Sequence, residues 1–147
     1  MMGKLLPILL VLVIAGGATA AGLFLRPAPV EAEDTPPPVT AHDYVKMSNQ
    51  FVVPVVEGGR VAAMVILSLS LETTVGASAE VYAKEPKLRD GFLQVLFDHA
   101  NTGGFRGSFT DAANLVTLRR SLTETGQRVL GPILTDVLIV DIMRQDS

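Results

Sequence analysis

The chain is 147 residues long, which is room for one domain with an anchor or tail rather than for two domains. Its formal net charge is −3, with acids and bases interleaved and no basic stripe carrying aromatics, which argues against nucleic acid as a partner. It has no cysteine, so disulfides, thiolate metal sites and cysteine nucleophiles are excluded, and an oxidising compartment is compatible with the composition.

Residues 1–4 form a short N-terminus, read as cytoplasmic. Leu5 to Leu25 then carries no charged side chain and is flanked by Lys4 and Arg26. As a helix, this segment would rise roughly 30 Å, the hydrocarbon thickness of a bilayer. Pro7 falls in the first turn, where a missing N–H costs little. The rival reading is a cleaved signal peptide: Lys4 as the n-region, Leu5 to Ala15 as the h-region and Ala18-Thr19-Ala20 as a small-x-small cleavage site. The apolar run continues through Leu23, Phe24 and Leu25, which a signal peptide does not need and a span does. Both readings send the remainder across the membrane. Residues 26–43 hold five prolines and the acids Glu31, Glu33 and Asp34 with little apolar bulk. They are read as an extended linker that cannot bury a core.

Residues 44–147 are expected to form the folded part. Phe51 to Val56 is a β-rich run in which Pro54 predicts an edge position or a bulge. Gly58-Gly59 suits a tight hairpin turn, and Val61 to Leu71 alternates with period two. Its odd positions (Val61, Ala63, Val65, Leu67, Leu69, Leu71) make one apolar face, while Ser68 and Ser70 are read as marking where the strand surfaces. A short helix is expected within residues 77–83. Glu85-Pro86 starts a longer helix with Leu88, Phe92, Val95 and Leu96 as its stripe, ended at Asn101-Thr102-Gly103-Gly104. Ser108 or Thr110 is expected to cap a second long helix, buried through Leu115, Leu118, Leu122, Val129 and Leu130 and stopped by Gly131-Pro132. Asp136 to Arg144 alternates as a final strand. The order is β-β-α-α-β, an α+β sandwich of two layers.

Candidate chemistry is sparse. His42 falls in the linker, and His99 is read as closing a helix, where an imidazole complements the negative dipole end. Neither histidine has a second ligand three or four residues away. Gly58-Gly59 and Gly103-Gly104 match no phosphate-loop pattern and are read as turns. Arg119-Arg120 is read as a solvated helix face or a partner contact, and Asp90, Asp98, Glu124 and Asp141 form no paired-carboxylate pattern. No catalytic, cofactor-binding or metal-ligating residues are assigned, and no enzyme or small-molecule substrate is expected.

The motif order, however, resembles a known family. Tyr44 to Glu72, with FVVPVV and GRVAAMVILSLSLE, resembles the opening strands of the flagellar basal-body-associated FliL family. Glu85 to Ala100, EPKLRDGFLQVLFDHA, looks like that family's helix with a Pro-x-Leu-Arg-Asp start. Leu115 to Gln145 resembles its closing helix and strand. The chain departs from the family at Pro54-Val55, at the Gly-rich loop of residues 101–110, and in a final strand without the usual phenylalanines. The resemblance implies a stomatin-like fold and a single-pass protein of the bacterial inner membrane with its domain in the periplasm. It also implies oligomerisation into a ring or scaffold. The implied partners are flagellar stator and basal-body proteins, and the implied role is in motility and chemotaxis without catalysis. The alternative is a general periplasmic binding or envelope module released by cleavage after Ala20.

Overall fold

The computed structural model describes residues 40–147. The expected N-terminus, the span Leu5 to Leu25 and nearly all of the expected linker lie outside the described residues. Among the described residues, no helix is long and apolar enough to cross a membrane. The elements are β1 (His42–Lys46), β2 (Phe51–Glu57), β3 (Arg60–Thr74), α1 (Ser78–Ala83), α2 (Glu85–Asn101), α3 (Ala112–Leu130), a 3-10 turn (Gly131–Ile133) and β4 (Leu134–Asp146). The class is α+β, with one antiparallel four-stranded sheet and helices.

β3 is the centre of the sheet. Residues 63–67 of β3 pair with β2 and with β4, and residues 70–73 pair with β1 and with β4. A strand has only two hydrogen-bonding edges, so β1 and β2 share one side of β3 and β4 takes the other. β1 and β2 thus form one interrupted edge. Lys46 faces Ser70 and Phe51 faces Leu67, so the edge uses two more residues than β3 over this stretch. The excess bulges at residues 47–50, where the Met47 N–H still donates to Leu69 O (3.0 Å).

The inner face of β3 is Ala63, Val65, Leu67, Leu69 and Leu71, all buried. Helix α2 lies towards β2 and α3 towards β4. Leu88, Phe92, Leu96 and Ala100 of α2 join Leu118, Leu122 and Leu130 of α3 in the same core. This burial is the main force holding the two layers together. The hairpin forms as the sequence predicts: Gly58 (φ 58°) and Gly59 (φ 77°) both take the left-handed conformation, closed by Glu57 opposite Arg60. Pro54 sits on the edge strand β2, beside a register shift between Val55 and Val56.

Several expectations are corrected. A strand begins at His42, inside the expected linker, so the order is β-β-β-α-α-α-β. In HDYVK the only buried residue is Val45, so no period is visible and pairing to β3 makes the strand. Val61 does not join the inner face. The bulge leaves Ala62 unpaired and sets Val61 opposite Val56, which turns Val61 to the outer face that Val56 already occupies. Ser68 and Ser70 do not surface. They are small side chains on the central strand, shaded by neighbours, and Gln50 Nε2 donates to Ser68 Oγ (3.4 Å). Asp111, not Ser108 or Thr110, is the residue before α3, and it makes no side-chain capping bond. Val95, Leu115 and Val129 are only partly buried, and Thr125 and Gly126 take the inner positions of α3.

Candidate functional site

An apolar groove of about 540 Å³ lies between the start of α3 and the middle of β4. Its walls are Leu115, Val116 and Arg119 on the helix and residues 138–142 on the strand. A register irregularity creates it. Ile139 faces Leu69 and Asp141 faces Ser68, so Val140 has no partner on β3 and projects outward, 58% exposed. Val116, on the facing helix, is 49% exposed. Among the described residues β4 pairs with β3 alone, so its outer backbone edge is available beside the groove.

The polar end of the groove is closed by a network that joins α3 to β4. Arg119 Nη2 donates to Asp136 Oδ2 (2.6 Å), and its Nε donates to Val137 O (3.3 Å). Thr123 Oγ1 donates to Asp136 Oδ1 (3.1 Å), and the Val137 N–H donates to both Thr123 Oγ1 and Asp136 Oδ1. Arg119, expected on a solvated helix face or at a partner contact, is half-buried, and its guanidinium fixes the start of β4. Arg120 remains exposed. The Arg119 guanidinium and the Asp136 carboxylate satisfy each other, which leaves the groove itself mostly apolar.

A second, smaller cleft of about 260 Å³ lies between α2 and α3, lined by Val95, Asp98, His99, Thr102, Thr117, Leu118 and Ser121. His99 is in the last turn of α2, as expected, but it is not a charged cap in water. Its ring meets Phe105 edge-on at 4.8 Å, and Nε2 is buried without a hydrogen-bond partner. Burial lowers its pKa from the ordinary 6.5, opposed by a backbone hydrogen bond at Gly104. His42 lies on β1 with Nε2 3.6 Å from Glu72 Oε1. The two histidines are on different elements and share no cluster. Among the described residues, no group of three or more His, Asp or Glu could hold a metal ion.

The outer face of the sheet carries a third feature. Val52, Val56, Val61 and Met143 are each about half exposed, and Tyr44 more so. Asp90, Asp98, Glu124 and Asp141 are dispersed over α2, α3 and β4, so the structure does not assemble the acids. The groove was missed by sequence reasoning because Val140 was counted in strict alternation, and a bulge is invisible until the partner strand is known. Compared with known proteins, the chain matches no protein-family model and no curated protein sequence.

Proposed function

We propose that this protein acts by holding other proteins beside a membrane, without catalysis, in the manner of the FliL family it resembles. Leu5 to Leu25 is its single span, residues 26–41 are its spacer, and the α+β domain stands in the periplasm. Its partners are flagellar stator and basal-body proteins, and copies of the chain assemble into an oligomeric scaffold of the stomatin-like kind.

The observation that carries this reading is the combination of a β4 edge that no other strand pairs among the described residues with the apolar groove beside it. An extended segment of a partner could pair with the edge through its backbone and set alternate side chains against Leu115, Val116 and Val140. The most specific polar contacts, such as Arg119 with Asp136 and Arg89 with Asn49 O and Gln50 O, are used to hold elements together. This distribution suits a binding module more than a reaction centre.

Ala18-Thr19-Ala20 supports the second reading, a released envelope module. Alkaline extraction of membranes followed by intact-mass measurement separates the two. The anchored reading expects the chain to stay in the membrane pellet with residues 1–20 present. A soluble product beginning at Ala21 would replace it with the released form.

A further inference from the structure

The connection between α2 and α3, residues 102–111, is held against His99 by short contacts on several sides. A Cβ built on Gly104 would lie 2.2 Å from His99 Nε2, so the imidazole rests directly on the backbone there. Phe105, fully buried, packs edge-on against the same ring. The Gly104 N–H donates to His99 O (2.9 Å). Asn114 Nδ2, from the first turn of α3, donates to Gly104 O (2.8 Å) and Phe109 O (2.7 Å). Arg144 of β4 donates through Nη1 to Phe105 O.

We propose that His99 is the bolt of a pH-sensitive latch: while its ring is neutral the connection stays closed against the end of α2, and protonation releases it and uncovers Phe105. The argument is steric and polar. A neutral imidazole can leave Nε2 bare, whereas the imidazolium carries an N–H at both nitrogens. In the closed connection that second N–H would be buried, and the hydrogen bond to the Gly104 backbone that favours the charged ring does not outweigh the burial. Of the charged groups on the neighbouring elements, Arg106 of the connection pairs with Glu57 (3.0 Å) and Arg144 of β4 pairs with Asp146 (2.8 Å). The α3 residues facing the cleft, Thr117, Leu118 and Ser121, do not titrate, and Asp98 on the ring's own helix is the one acid lining the cleft. Asp111, at the far end of the connection, is exposed.

The direction of the response follows from linkage. Burial makes the closed form bind the proton more weakly than the open form, whose histidine has the ordinary pKa of 6.5. Closure is therefore unaffected well above pH 6.5, weakens as the pH falls through 6.5, and levels off below the closed-state value. Each unit by which burial lowers the pKa increases opening by about tenfold at low pH.

Hydrogen exchange of the full-length chain in detergent tests this, with rates at pH 7.5 and 5.0 corrected for intrinsic exchange. The latch predicts that amides of residues 102–111 lose protection at pH 5.0 relative to β3. His99→Phe should abolish that loss, and His42→Gln should leave it in place. An NMR titration of His99 in the wild-type chain provides a readout independent of whether the variant folds. Equal latch protection at both pH values, a retained response in His99→Phe, or a His99 pKa at or above 6.5 would each overturn the proposal.

Discussion

Gly126 shows how one residue sets the spacing of the layers. A Cβ there would lie 2.4 Å from Leu134 Cδ2 and 3.3 Å from the Phe92 ring, so the α3 backbone rests directly on side chains of β4 and α2. Gly126→Ala is expected to lower stability by about 1–3 kcal/mol through overpacking, read as a lower urea midpoint. At an open helical site the same change would stabilise by roughly 1 kcal/mol, so a raised midpoint would mean that the packing is looser than described. The period of 3.6 made Leu88, Phe92, Leu96, Leu118 and Leu122 legible as core residues. It could not find Thr125 and Gly126, because a small residue is buried when a neighbour comes close, and proximity is not written in the pattern. The burial of His99 was hidden for the same reason: Phe105 and Gly104 fold back on it from a loop.

At the scale of elements, the interrupted β1–β2 edge is strapped to α2. Ser48 N and Oγ donate to the Glu85 carboxylate (3.0 and 2.7 Å), and Arg89 Nη2 donates to Asn49 O (2.7 Å). The Arg89 guanidinium also lies 4.4 Å from the centre of the Phe51 ring. Arg89→Ala should therefore cost about 1.5–3 kcal/mol, the range for hydrogen bonds to a charged group, with faster amide exchange at residues 47–50. Unchanged exchange there would show that the bulge holds itself. The hairpin and the two long helices were legible because their signals are local: two glycines at the turn, a proline in the first turn of α2, and a Gly-Pro stop after α3. β1 and the outward turn of Val140 were not, because both depend on what β3 offers opposite them. Strict alternation fails wherever one strand carries an extra residue.

At the scale of the whole domain, residues 40–147 enclose an inner core and, among the described residues, leave two apolar exposures, the β4 groove and the outer sheet face. Of their residues, Val61 and Leu115 read as buried in the sequence, since an apolar pattern cannot say which of two faces is covered. The account rests on the groove serving a partner near a membrane. Val116→Asp with Val140→Asp changes two side chains about half exposed to solvent and should leave the fold and its unfolding midpoint within about 0.5 kcal/mol of wild type. The most direct measurement is the swim-ring diameter of the host bacterium after deletion of the gene. Complementing strains would carry the full-length chain, a chain lacking residues 1–25, or the double aspartate variant. The account predicts a smaller ring on deletion, recovery with the full-length chain only, and no recovery with either altered form. A deletion strain that swims normally, or full recovery by the chain without residues 1–25, would contradict it.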